Sequence, residues 1–105
     1  MTALPKPIGR QLDPGYLRAV RRLPCLLSGA GCWGPVEADH AGPRPVGRKA
    51  DDRTAVPLCR QHHHQRTNAC GWFRDLTPEQ RRVWCERAIE QTQRAVERAD
   101  KGATW

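Results

Sequence analysis

Apolar residues at helical spacing mark a helix near each end of the chain. Leu17, Val20 and Leu23 recur every three residues, which predicts an N-terminal helix over residues 13–23 that opens with an Asp-Pro pair. A longer helix is predicted over residues 77–99, because a Thr-Pro pair and a capping glutamine open it. We expect its buried face to consist of Trp84, Ala88, Thr92, Ala95, Val96 and Ala99.

Between these helices the pattern predicts two short strands followed by another helix. Residues 36–41 and 54–58 are short, mostly apolar stretches, and we assign both as strands. The proline in the second strand places it at a sheet edge, because proline cannot donate to a ladder. Residues 59–67 are assigned as a helix, and residues 42–53 as a long polar loop rich in Gly, Pro and basic side chains. Residues 1–12 show no periodicity and are interpreted as a tail.

The length and composition favour one small domain that needs support beyond its core. With 105 residues, a 38% hydrophobic fraction and 6% aromatics, burial alone would leave the fold marginal. Trp72 and Phe73 are expected to anchor the core. The chain shows no signal-peptide pattern and no apolar run long enough for a membrane span, so we expect a cytoplasmic protein. In such a reducing compartment the five Cys favour metal binding over disulfides.

The charge balance predicts a nucleic acid as the partner. Eighteen Lys and Arg oppose eleven Asp and Glu, which gives a net charge of +7. Fifteen of the eighteen basic residues are Arg, the side chain suited to bidentate phosphate contacts.

Cysteine and histidine spacing predicts a structural zinc site. Within the helix that begins near Cys59, His62 lies three residues on and shares its face, so the two can bind one ion. Cys25 and Cys32 enclose a Gly-rich turn that lets two thiolates converge. The predicted ligands, a closed tetrahedral Cys3His set, are Cys25, Cys32, Cys59 and His62. Cys70 and His64 are the alternative ligands.

A second group of residues predicts chemistry beside the zinc. His63 is turned about 100° from His62 by helical geometry, so it faces a different partner. Asp39 and His63 can hold Mn²⁺ or Mg²⁺ with positions left for water and phosphate, and His40 can take a proton from the attacking water. Neighbouring strand residues face opposite sides, so Asp39 and His40 share a site only if the strand bends or ends there.

These residues resemble the HNH endonucleases of the ββα-metal superfamily, and most of all small phage- and prophage-type members. The resemblance covers residues 25–67. It implies an α+β fold, with a small ββα-metal core, zinc-binding loops and flanking helices at both ends, in a single domain. It assigns Asp39 and His63 to the catalytic ion and His40 as general base. Thr54 stands where the family often has Asn, and we expect it to brace the loop.

The family implies metal-assisted hydrolysis of double-stranded DNA, with nicking of one strand by a monomer or weak homodimer. We expect weak sequence preference and no membrane association. The candidate phosphate contacts are Arg44, Arg48, Lys49, Arg53, Arg60 and Arg66. Two alternatives stay open at this point: a zinc-braced nucleic-acid-binding module without catalysis, and RNA as the substrate.

Overall fold

A computed structural model of the protein describes residues 11–29, 31–43 and 50–103, with side chains up to residue 100. The described chain is a small α+β structure with a two-stranded antiparallel sheet and three α-helices, as the sequence predicted. In chain order these are α1 (Pro14–Arg21), β1 (Val36–His40), β2 (Ala55–Cys59), α2 (Arg60–Asn68) and α3 (Pro78–Ala103). Short 3-10 turns at Asp52–Thr54 and Gly71–Phe73 precede β2 and α3.

The pairing of the two strands sets the positions of the candidate site residues that they carry. Val36 lies opposite Cys59, and His40 lies opposite Ala55, so the end of β1 meets the start of β2. All five residues of β2 are buried, and Cys59 is both its last residue and the cap of α2. The predicted helix therefore begins at Arg60, one residue later than expected. The strand and the helix therefore meet directly at Cys59.

Alternation along β1 directs its side chains to two different helices. Glu37 and Asp39 contact α2, through His63 and Arg66. Ala38, between them, packs instead against the cluster that contains Tyr16 and Val20 of α1. This is the two-residue period of a strand with a helix on each side. It explains why a carboxylate pair faces α2.

The first helix is shorter than the sequence predicted. Asp13 caps it by accepting a hydrogen bond from Tyr16 N at 3.0 Å, as expected of an Asp at this position. The helix ends at Arg21 and not at Leu23. After Arg21 the backbone bonds reach back three residues, from Arg22 N to Ala19 O at 3.1 Å and from Leu23 N to Val20 O at 3.0 Å, and Pro24 disfavours the helical conformation in Leu23.

The last helix begins with the predicted capping box and runs beyond its predicted end. Gln80 N donates to Thr77 Oγ1 at 3.1 Å, and Thr77 N donates to Gln80 Oε1 at 2.8 Å. The helix continues to Ala103, four residues past the expected end. No helix in the described residues is long and apolar enough to cross a membrane.

The buried face of α3 matches the prediction except at its far end. Ala88, Thr92 and Val96 are buried, while Trp84 and Ala95 are half-buried. Ala99 is exposed, so its assignment to the core was wrong. Val96 is the last α3 residue in the cluster with Tyr16 and Val20, and Ala99 lies almost one turn beyond it.

Of the two aromatic residues expected in the core, only Phe73 is buried there. Its ring lies fully inside, edge-on to Trp84 with centroids 4.9 Å apart. Trp72 is 51% exposed and covers Phe73 from outside, at 4.9 Å between centroids. Trp72 as a core anchor was therefore a wrong prediction. Adjacent residues in a 3-10 turn point in different directions, and only one of them can reach the interior.

Replacing these two aromatics is expected to separate core packing from surface cover. Phe73→Ala should lower the free energy of unfolding by about 3–5 kcal/mol, because a fully buried ring leaves a cavity. Trp72→Ala should cost about 1–2 kcal/mol, since half of the ring is already in water. Chemical denaturation of the wild-type protein and both variants measures these changes in the free energy of unfolding. Equal losses would contradict the assignment of Phe73 as the anchor.

Candidate functional site

Three cysteines and one histidine converge at the junction of β2 and α2. The Nδ1 atom of His62 lies 3.5 Å from Cys25 Sγ, 3.6 Å from Cys32 Sγ and 3.2 Å from Cys59 Sγ. All four ligand atoms lie within 4.8 Å of one another. The group can hold a metal ion, and it is the Cys3His set that the sequence predicted. We call it the Cys3His cluster.

The spacing inside the Cys3His cluster fits tetrahedral zinc. With Zn–S near 2.3 Å and Zn–N near 2.0–2.1 Å, a sulfur and a nitrogen on adjacent corners lie about 3.6 Å apart. The three observed S–N distances are close to this value. Three thiols and an imidazole are also the donors that zinc prefers. Four protein ligands would fill the coordination shell, so the site suits a structural ion.

Local backbone geometry brings the four ligands together. Cys59 accepts the backbone N–H of His62 at 3.5 Å, so the same sulfur caps α2 and faces the cluster. The segment after Cys25 is fixed to β2 by a hydrogen bond from Leu26 N to Pro57 O of 3.0 Å. Gly31, with φ of 78°, adopts a left-handed conformation just before Cys32, which glycine allows without strain. The six-residue gap between the two cysteines is closed in this way.

The environment of Cys59 favours its ligand form. Burial acts to raise the pKa of this thiol, but hydrogen bonds from the backbone N–H groups of His62 and Trp33, together with those from the Cys32 and Cys25 thiols, lower the pKa from its ordinary value. A lowered pKa favours the thiolate, which is the species that binds metal. The alternative ligands lie elsewhere: the His64 ring is 3.2 Å from the Asn68 side chain, and Cys70 is not in the cluster.

A separate cleft of about 450 Å³ lies between the end of β1 and α2. It is lined by Ala38, Asp39, His40, Ala41, Gly42, His63, Arg66 and Thr67. His40 is the last residue of β1, and both Asp39 and His40 border the cleft. We call this space the β1–α2 cleft.

The ring of His63 lies between two carboxylates in the β1–α2 cleft. Its Nδ1 atom is 2.9 Å from Glu37 Oε1, and its Nε2 atom is 3.3 Å from Asp39 Oδ1. The hydrogen bond to His63 is the main reason why the pKa of Glu37 is lowered, with burial opposing it and Arg60 assisting. Sequence reasoning missed Glu37. The two-residue period of β1, which puts it on the same face as Asp39, was the available signal.

Arg66 contacts both oxygens of the Asp39 carboxylate. Its Nη2 atom donates to Asp39 Oδ1 at 2.7 Å, and Nε donates to Oδ2. The hydrogen bond to Asp39 is the largest cause of a raised pKa for Arg66. Asp39 is 2% exposed, so its charge is compensated almost entirely within the protein. Arg66, predicted as a phosphate contact, is thus held against a carboxylate.

His40 has a buried carboxylate partner that the sequence did not indicate. Its Nε2 atom lies 2.8 Å from Oδ1 of Asp52, whose side chain is 3% exposed. Asp52 opens the short turn before β2, which also contains Thr54. The Thr54 hydroxyl donates to Asp51 O at 2.6 Å, and Thr54 O accepts from Ala41 N at 3.1 Å. This turn and the end of β1 are therefore bound together.

The other basic residues predicted to contact DNA are paired or lie outside the described residues. Arg53 is 3.2 Å from Asp13 and stacks over the Tyr16 ring at 4.9 Å. Arg60 is 3.1 Å from Glu37. Both side chains remain about half exposed, and such surface pairs contribute at most about 1 kcal/mol, so phosphate can compete for them. The predicted contacts that fall outside the described residues are Arg44, Arg48 and Lys49.

In comparisons with protein-family models, curated proteins and solved structures, no match to this chain was found.

Proposed function

We propose that the protein is a metal-dependent DNA endonuclease that hydrolyses phosphodiester bonds in the β1–α2 cleft. The observation that carries this is the meeting of Asp39 and His63, 24 positions apart in sequence, with Oδ1 and Nε2 separated by 3.3 Å. His40 borders the same cleft. The proposal agrees with the resemblance of residues 25–67 to HNH endonucleases.

The donor pair fits a divalent ion with octahedral geometry. Adjacent ligands of such an ion, each about 2.1 Å from it, lie about 3.0 Å apart, so the 3.3 Å gap needs little adjustment. One carboxylate oxygen and one imidazole nitrogen suit Mn²⁺, and Mg²⁺ less well. When bound, the ion would stabilise negative charge on the phosphate and on the leaving 3′ oxygen.

The neighbours of Asp39 and His63 orient these two ligands. Glu37 can accept the Nδ1 proton of His63, which would leave Nε2 as the nitrogen available to an ion held between His63 and Asp39. A carboxylate behind a histidine ligand commonly fixes the tautomer in metal sites. Arg66 occupies one lone pair on each Asp39 oxygen, and each oxygen has another. The Asp39 carboxylate can thus bind an ion while Arg66 holds that carboxylate in place.

In this proposal His40 acts as the general base. A neutral imidazole beside the cleft takes a proton from the water that attacks phosphorus, so that the attacking group develops hydroxide character. The proton is then held at the ring and passes to solvent. The leaving 3′ oxygen takes up a proton from solvent, so the products would be a 5′ phosphate and a 3′ hydroxyl. One such centre per chain cuts one strand, so a monomer would nick double-stranded DNA.

The charge of the chain supports a polyanionic substrate. A net charge of +7 with fifteen Arg gives attraction to DNA that does not depend on sequence. We therefore expect weak sequence preference and an affinity that falls steeply with salt. A small interface makes few contacts with base edges, which also leads to weak sequence preference.

One contact favours a second candidate function, a zinc-braced nucleic-acid-binding module without catalysis. The guanidinium of Arg66 already neutralises Asp39, which a stable protein could use simply to pack α2 on β1. In that case the basic surface alone would bind the nucleic acid. The two candidates differ in whether phosphodiester bonds are cut.

Incubation with supercoiled plasmid distinguishes these functions. With Mn²⁺ or Mg²⁺, the wild-type protein should convert the plasmid to open circles, whereas EDTA should prevent this. His63→Ala should lower the rate at least about a hundredfold, because it removes an ion ligand. His64→Ala, one residue away on the exposed side of α2, should leave the rate unchanged. Binding in a gel shift with intact plasmid under every divalent ion would support the non-catalytic module, and preferential cutting of an RNA control would change the substrate.

A further inference from the structure

We infer that Asp52 is a positioning residue for His40, and that it selects which ring nitrogen acts as the base. The inference deepens the proposed function and rests on it for its catalytic meaning. Asp52 is 2% exposed, and its Oδ1 atom lies 2.8 Å from His40 Nε2. The two residues are 12 positions apart, on opposite sides of the loop that joins β1 to β2.

The hydrogen bond to Asp52 fixes the tautomer of His40. An ionised carboxylate can only accept, so the nitrogen that faces it must carry the proton. Nε2 is therefore the N–H of the neutral ring, and Nδ1 is the atom with a lone pair. A general base needs that lone pair at a fixed place. Asp52 supplies both the tautomer and the ring orientation without touching the substrate.

The second oxygen of Asp52 is held by the start of α1. Asp52 Oδ2 accepts the backbone N–H of Asp13 at 2.8 Å, and Asp52 N donates to Gln11 O at 3.0 Å. The carboxylate thus bridges the cap of α1 and the histidine at the end of β1. Because a backbone N–H fixes one oxygen, the carboxylate has a set rotation when it meets His40.

This bridge predicts an unusual effect for Asp52→Asn. The Asp13 N–H still needs an acceptor, so the amide oxygen of the substituted side chain would stay with it, and the amide NH₂ group would face His40. An NH₂ group can only donate. Nε2 would then have to accept, and the proton would move to Nδ1. The variant would keep the shape of the site but hold the base in the wrong tautomer.

Asp51 offers a matched control. It is the neighbouring carboxylate, it is exposed, and its Oδ1 atom accepts the backbone N–H of Gln11 at 2.7 Å. It therefore makes the same kind of bond to the same segment, and its side chain is not bonded to His40. Asp51→Asn should leave both the tautomer and cleavage unchanged.

The test combines ring-nitrogen NMR with nicking kinetics. In long-range ¹H–¹⁵N spectra at a pH where the ring is neutral, wild-type His40 should show a protonated Nε2 and an unprotonated Nδ1. Asp52→Asn should reverse the pattern, and its maximal nicking rate should fall about a hundredfold or more with an apparent KM changed less than about threefold. The first spectrum needs no variant and no activity.

The outcomes separate this inference from the proposed function. A wild-type His40 protonated at Nδ1, or an unchanged nicking rate in Asp52→Asn, would overturn the positioning role. Equal losses in Asp52→Asn and Asp51→Asn would do the same, because they would show a merely structural contact. The expected tautomer in a protein that never cuts DNA would support the Asp52 contact and refute the nuclease instead.

Discussion

We expect the Cys59→Ser substitution to unfold the protein. Cys59 belongs to the hydrophobic core, ends β2, caps α2 and contributes one of four ligand atoms to the Cys3His cluster. Structural zinc contributes on the order of 10 kcal/mol in small zinc modules. A domain of this size has a total stability of about 5–15 kcal/mol, so losing a ligand removes most of it. Circular dichroism and zinc analysis should show an unfolded or aggregated variant that lacks the metal.

The wild-type protein should retain about one equivalent of zinc through purification. Cys70→Ser provides the matched control, since Cys70 lies outside the cluster. It should keep the zinc and change the free energy of unfolding by less than about 1 kcal/mol. A folded Cys59→Ser protein without zinc would contradict the structural role, and so would zinc loss in Cys70→Ser alone.

The Cys59–His62 half of the Cys3His cluster was predictable because short-range geometry decides it. Cys59 and His62 are separated by three residues at a helix start, and their shared face follows from the helical repeat. Cys25 and Cys32 reach that pair from 37 and 30 positions away in the chain, and six residues separate the two cysteines from each other. Two glycines with positive φ close that gap, at Gly29 and Gly31. Their presence in the turn was visible in the sequence.

The contacts that residues of the β1–α2 cleft make with their neighbours were not predictable in the same way. Glu37 with His63, Arg66 with Asp39 and Asp52 with His40 are pairs that the loop and the strand register bring together. Periodicity tells which residues share a face, but it does not tell which face of another element lies opposite. Arg66 illustrates the limit: its charge predicted a phosphate contact, and its position on α2 gave it a carboxylate.

The junction between β2 and α2 connects the two candidate sites. His62 points into the Cys3His cluster, and the next residue, His63, points into the β1–α2 cleft. A metal at the first site would therefore fix the start of α2 and, through it, the distance between His63 and Asp39. This gives the cluster a role in the proposed chemistry without any contact to DNA. Loss of zinc should lower cleavage even where some fold survives.

The largest effect on cleavage is expected from His40→Ala. Removal of a general base lowers the rate by a factor of about 10²–10⁴. Among the described residues, the only other histidine that borders the cleft is His63, which is assigned to the ion in this proposal. Binding of DNA should change little, because the net charge of the protein is carried by Arg and Lys. Single-turnover nicking with Mn²⁺, beside a gel shift on the same DNA, measures both quantities.

His64→Ala again serves as the control for His40→Ala, because its exposed ring contacts only Asn68 among the described hydrogen bonds. It should nick at the wild-type rate. Addition of free imidazole should restore part of the activity of His40→Ala, since the truncation leaves room beside a cleft of about 450 Å³ and Asp52 stays in place to orient the added ring. Nicking by His40→Ala at the wild-type rate would show that His40 is not the general base. It would also refute the positioning role inferred for the buried carboxylate of Asp52.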